Sequence, residues 1–212
     1  MHYAIQHQVN VFPYLSISPR KRVFKYSLIR VMEGMMLFRL GKTEYAVEPG
    51  QAVWIPFDCL CSVTRFPGSK MQTVEISSRV STPLPHQAGF VELDTLSLAL
   101  MDKLASLAGS DSQNQPGICT QTPSYQHDLL KVLQAEVSQF TPALAQSHLT
   151  KVINRWSAGQ SDDSLNREQL LVLTMREAIK RMQSGQRESD VIAALFNGQQ
   201  QEYQLLKQLI LG

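Results

Sequence analysis

The chain has 212 residues, room for one or two domains with a proper core, and its 43% hydrophobic and 18% charged content are globular values. A net charge of +2 at pH 7 does not by itself argue for a nucleic-acid partner. No apolar run approaches the ~18 residues that cross a bilayer, and residues 1–10 are polar, without the apolar centre of a signal peptide. The three cysteines, Cys59, Cys61 and Cys119, have no framework spacing, which excludes a disulfide scaffold and fits a reducing cytoplasm. Cys59 and Cys61 alternate along a strand or loop and are expected to point opposite ways.

In chain order, residues 9–12 form a possible edge strand ended by Pro13, and Arg20, Lys21 and Arg22 follow Pro19 as a solvated loop. Residues 27–56 read as four short strands broken by three turns. Residues 27–32 are apolar and branched, and Glu33-Gly34 breaks them, since Gly takes the positive φ of a tight reversal. Residues 35–40 resume, with Met36, Phe38 and Leu40 on one face and Arg39 on the other. Gly41-Lys42 is a hairpin tip, and residues 43–47 return with Tyr45 and Val47 on one parity. Pro49 and Gly50 suit the central positions of a type II turn, and residues 52–55 run to Pro56. Residues 57–60 are loop, 61–66 and 71–76 are strands, and Pro67-Gly68-Ser69 joins them. The pattern predicts a small antiparallel barrel or jelly roll. Pro83 and Pro85 close it, because prolines so near each other continue neither helix nor central strand.

Beyond residue 85 the spacing becomes helical, so the expected fold class is α+β. Leu93, Leu96, Leu100, Leu104 and Leu107 share one helical stripe, with Asp94 as N-cap. Residues 109–123 are polar and loop-like. Residues 124–140 form a second amphipathic helix, with Leu129, Leu133, Val137 and Phe140 in register, ended by Pro142. Residues 148–156 form a third, and another begins near Asn166, with Ser164 or Asn166 as cap.

The order of signals in residues 27–77, a Gly ending the first strand and Glu48-Pro49-Gly50 feeding a strand that ends Trp54-Ile55-Pro56, resembles the N-terminal cupin of AraC-family transcription regulators. Any other jelly roll with the same turns is the alternative. The resemblance implies a sensing domain over residues 1–85. Over residues 86–142 it implies helices that pack on the barrel and dimerise through Leu93, Leu96, Leu100, Leu104 and Leu107, with packing inside one monomer as the alternative. Residues 176–212 resemble the second helix-turn-helix unit of that family. Arg176 and Ala178 lie in the entering helix, Gly185 ends it, Val191, Ala194 and Leu195 match the next helix, and Tyr203 and Gly212 match further on. Phe196 stands where the family has the Gly of the turn. Glu188 and Lys207 occupy usual core positions, Ile192 replaces a small residue, and the first unit is largely missing from residues 143–175. An ordinary helical tail is the alternative for residues 143–212.

Cupin enzymes hold a metal through histidines whose positions here fall near Lys21, Val23 and Cys61, and Lys and Val cannot rebuild such a site. His2, His7, His86, His127 and His148 all lie outside the core stretch. No metal, cofactor or enzymatic activity is therefore expected, and Cys61 reads as a small buried hydrophobe. An effector mouth is expected from Tyr26, Arg30, Phe38 and Trp54, suited to an anionic or aromatic ligand, although packing or solvation would account for all four. DNA would be met by Gln199, Gln200 and Gln201 at the start of a recognition helix, with Lys180, Arg181, Arg187 and Lys207 on phosphates. The three glutamines could equally be a solvated helix cap. The expected protein is a homodimeric, small-molecule-sensing regulator with weak DNA binding. The alternative is a sensing module that acts through a partner protein.

Overall fold

The alternation of residues 27–56 becomes two packed sheets. A computed structural model describes residues 4–110, 123–157, 159–160 and 164–212. The strands are β1 (Ile5–Phe12), β2 (Ser16–Ile17), β3 (Lys21–Arg22), β4 (Lys25–Glu33), β5 (Met36–Leu40), β6 (Thr43–Val47), β7 (Ala52–Ile55), β8 (Leu60–Arg65), β9 (Ser69–Ser77) and β10 (Gly89–Val91). The first sheet runs β1-β9-β4-β7-β10 and the second β2-β8-β5-β6, with β3 also on β8. Every pairing is antiparallel. This is a jelly-roll-like sandwich, and with its helices the fold is α+β.

Strand parity sorts the side chains into layers. Ile29, Val31, Phe38, Tyr45, Val47, Val53 and Ile55 fill the space between the sheets. Their neighbours Leu28, Ala52 and Trp54 face outward from the first sheet, and Leu37 and Ala46 outward from the second. Both faces of each sheet are therefore buried, which is why residues 52–55 are apolar without interruption. The turn at Gly34 has φ +75°, and a Cβ there would lie 2.7 Å from Ser69 Cα. Ser69 locks that turn, since its Oγ accepts from Met35 N at 3.1 Å and donates to Met35 O at 3.0 Å.

Helices α1 (Thr95–Ser110) and α2 (Pro123–Val137) cover the outer face of the first sheet. Leu100, Leu104, Leu130, Leu133 and Val137 pack there against Leu28, Trp54, Val74 and Ile76. Asp94 caps α1 as its sequence predicts, accepting from Ser97 N at 2.8 Å. Hydrogen bonding from Ser97 holds its carboxyl below the ordinary range. Residues 111–122, Cys119 among them, lie outside the described residues. The strand β10 is absent from the sequence reading; Gly89 lets it approach Ala143, whose backbone a Cβ would meet at 2.7 Å.

Helices α3 (His148–Ser157), α4 (Arg167–Gln183), α5 (Glu188–Leu195) and α6 (Gln200–Leu211) cover the second sheet. Asn166 is the cap of α4, in a capping box with Gln169. Met175, Ala178, Val191, Phe196 and Tyr203 join Leu15, Met35, Leu37 and Phe66 in one core. The edge strand β6 is sealed by α3. Asn154 accepts from Glu44 N at 3.0 Å and donates to Glu44 O at 2.8 Å, while Thr150 accepts from Ala46 N at 2.9 Å. Positions 150 and 154 are one helical turn apart, matching every second residue of a strand edge.

Candidate functional site

The structure does not bring the four expected mouth residues together. Tyr26, Arg30 and Trp54 lie on the outer face of the first sheet, under α1 and α2, and Phe38 lies between the sheets. Trp54 is fully buried, stacks on Tyr26 at 5.7 Å, and donates from Nε1 to Pro85 O at 2.9 Å. Arg30 pairs with Asp102 of α1 at 2.5 Å. Period two places 26 and 30 on one side of β4, and the register of Leu28 with Trp54 adds 54, but alternation says nothing about which side faces the partner sheet. The sandwich interior is filled by side chains.

Open space lies instead at the rims. A groove of about 1150 Å³ runs beside β10, between Gly50, Phe90, Asp94 and residues 139–147. A second cavity, about 660 Å³, is bounded by Phe57, Cys59, His86 and Leu144. Cys59 and Cys61 are free thiols, Cys59 half-buried and Cys61 buried. Asp58 has φ +63° and turns the chain, so Cys59 precedes β8 and strand alternation does not govern it. The neighbouring Cys61 holds the Cys59 thiol below its ordinary value, and Cys59 together with burial raises Cys61. Among the described residues, no group of three or more His, Cys, Asp and Glu side chains could hold a metal ion. None of their helices is long and apolar enough to cross a membrane.

Of the leucine stripe, Leu100 and Leu104 are spent inside the chain, Leu93 is partly buried beside them, Leu107 is half-buried, and Leu96 is 46% exposed. A dimer contact through the whole stripe would require opening this core.

In the tail, α5 and α6 are joined by residues 196–199. Phe196 does not break this turn. Asn197 at φ +50° and Gly198 at φ +77° carry the positive dihedrals, and Phe196 is buried edge-on against Tyr203 at 5.2 Å. The other two departures answer each other. Lys207 Nζ lies 3.0 Å from Glu188 Oε1, which also accepts from Tyr203 OH at 2.8 Å. Hydrogen bonds from Lys207, then from Tyr203, hold the Glu188 carboxyl below its ordinary range. Gln199, Gln200 and Gln201 are exposed at the start of α6, and Arg187 is exposed before α5. Arg181 is paired with Glu177 at 3.0 Å, and Lys180 lies 3.7 Å from Glu44.

Glu44 sits on the edge strand β6, where a lone acid is expected to be solvated, yet it is buried. Its side chain is 8% exposed, and its Oε2 takes a 2.7 Å bond from Nη2 of the buried Arg176. The one local signal is the β5–β6 register, which sets Arg39 opposite Glu44. The partner that matters is 132 residues away.

No family model and no curated protein matches the chain. Among solved structures, a variant of apo ToxT from Vibrio cholerae aligns over 97% of this chain and 98% of that one, with 10% identity and a TM-score of 0.43. A second ToxT structure gives 8% identity and 0.41 over 99% and 96%. A cupin superfamily protein from Desulfitobacterium hafniense aligns over 37% of this chain and 72% of that one, with 12% identity and a TM-score of 0.34. At these TM-scores the likenesses carry no argument, and the fold assignment stands on strand order and register.

Proposed function

We propose that the chain is a transcription regulator of the AraC type, a cupin-like sensing unit whose helical tail meets DNA weakly. The observation that carries this reading is the pair α5 and α6, joined by a short turn at Asn197 and Gly198, with Gln199, Gln200 and Gln201 exposed where the second helix begins. A glutamine amide there can pair with the N6 and N7 edge of adenine in the major groove. A single unit makes few phosphate contacts, so affinity should be low and fall steeply with salt. Two copies would gain by linkage, and among the described residues Leu96, Tyr125 and Val132 are large apolar side chains that α1 and α2 leave exposed for such pairing. The reading assigns the chain no catalytic step.

The test is retardation of promoter fragments at low salt, with light scattering for the oligomer. Weak, salt-sensitive binding reduced by Gln200→Ala with Arg187→Ala supports it. No retardation at roughly tens of micromolar protein, a range where non-specific binders already associate, rejects it. One observation favours a second reading, a sensing module acting through a protein partner. Lys180, Arg181 and Lys207 are each beside a carboxylate, which leaves fewer free cations for phosphates.

A further inference from the structure

A cleft of about 490 Å³ opens between the β5–β6 hairpin and helices α3 and α4. Arg39 and Lys42 reach it from the hairpin, and Arg176, Lys180 and Arg181 from α4. Only two carboxylates, Glu44 and Glu177, stand among these five cations. Pairing uses part of the positive charge: Arg176 Nη2 bonds Glu44 at 2.7 Å and Arg181 Nε bonds Glu177 at 3.0 Å. Lys180 shares Glu44 with Arg176, at 3.7 Å, so two carboxylates serve three of the five cations and a net positive charge is left over. Nε of Arg39 and both Nε and Nη1 of Arg176 are buried without a hydrogen-bond partner. Arg176 is 1% exposed, so water does not reach it freely. A buried N–H with no acceptor is a costly state that native structures rarely keep without a reason. Burial first, and then the Arg176 charge, holds the Lys180 ammonium below its ordinary value, as expected of a cation pocket short of anions.

We propose that this cleft binds a small dianionic oxyanion of the phosphate-monoester class, through Arg39, Lys42 and Lys180, with the buried Arg176 completing the donor set. The donors are of the right kind, since guanidinium forks match phosphate oxygens bidentately and an ammonium serves as a point charge. The charge also fits. Five cations against two acids suit a ligand carrying nearly two negative charges at neutral pH. The space exceeds a bare ion and suits a small organic phosphate. Asn154, Ser157 and Ser184 supply further polar lining, so a hydrophilic ligand fits better than an aliphatic one. Bound there, the anion would tie the hairpin of the second sheet to α4, the helix that leads into α5 and α6. The proposal is independent of whether α6 reads DNA.

The test is calorimetric titration of the full chain with inorganic phosphate at low ionic strength. One saturable site per chain is expected, together with a rise in Tm. The double variant R39Q K42Q removes two donors that do not pair with Glu44, so its circular dichroism should be unchanged while phosphate binding weakens at least about tenfold. Lys180→Gln should weaken it as well, and Arg187→Gln should not. Four outcomes would overturn the proposal: no saturable binding, equal binding by R39Q K42Q, tighter binding of succinate than of phosphate, or competitive displacement of phosphate by duplex DNA. Failure of DNA retardation with phosphate binding intact would reject the regulator reading and leave this site standing.

Discussion

The two outer faces of the sandwich are both covered by helices, but by different means. On the first sheet, α1 and α2 lay Leu100, Met101, Leu104 and Leu133 over Leu28, Trp54, Val74 and Ile76. The polar inclusions there are few: Gln72 contacts His7 and donates to Met101 O under α1. On the second sheet the apolar core is bordered by directional bonds, from Thr150 and Asn154 to the β6 edge and from Arg176 to Glu44. Apolar burial is non-directional and scales with area, whereas the polar seal is satisfied in one register only. The first cover behaves as packing. The second couples the hairpin to α4. Buried polar atoms without a partner occur under both, Arg30 Nε and Ser97 Oγ at the first and Arg39 Nε with Arg176 Nε and Nη1 at the second.

Glu44→Ala should break the second cover most severely, because it leaves the Arg176 charge buried without a carboxylate. A loss of about 3–5 kcal/mol is expected, read by urea unfolding. A loss within the noise of that measurement would mean that the pair is not what joins hairpin and helix. Leu104→Ala tests the first cover, where a fully buried leucine should cost about 2–5 kcal/mol with no change in phosphate binding. Leu100→Asp should unfold the chain rather than merely dissociate a dimer, since Leu100 is 7% exposed inside the monomer core.

His7 sharpens the comparison through pH. Burial lowers its pKa from 6.5 to about 4. Below 6.5 the unfolded chain takes up a proton that the folded chain refuses. Stability is therefore full above 6.5 and falls as pH drops toward 4, by at most about 3 kcal/mol. Urea midpoints at several pH values should show that slope, and His7→Leu should flatten it. The smallest effect is expected at Glu188. Its pair with Lys207 is over 40% exposed on both sides, so Lys207→Ala should cost no more than about 1 kcal/mol. A larger loss would show that Lys207 supports the Tyr203 core through its position over that ring.

Much of the sandwich was legible because its signals are local. Gly34, Gly41 and Gly50 all take positive φ where the sequence places turns, and β4 to β7 fall where alternation puts them. Orientation was not legible. Tyr26, Arg30, Phe38 and Trp54 were expected together, but strand parity could not say which of them faced a ligand space and which a helix. The short β10 was missed because its pairing with β7 depends on a distant backbone approach at Ala143. At Phe196, Glu188 and Lys207 single departures from a pattern looked damaging one by one. In the fold Asn197 and Gly198 supply the turn, and Glu188 and Lys207 satisfy each other. The cationic cleft was hidden for the same reason, since the residues that make it come from a hairpin and a helix more than a hundred positions apart.

The seal on β6 has a consequence for the order in which the protein is made. Glu44 finds Asn154 across 110 positions, and Ala46 finds Thr150 across 104. A ribosome releases the whole sandwich well before the residues that close its edge. During that interval β6 presents unpaired amides and carbonyls beside an apolar outer face, the form of strand that recruits other strands. A chain halted or cut before residue 148 should fold its sheets and then stick to its own kind, and supplying helices α3 to α6 as a separate fragment should restore a soluble product.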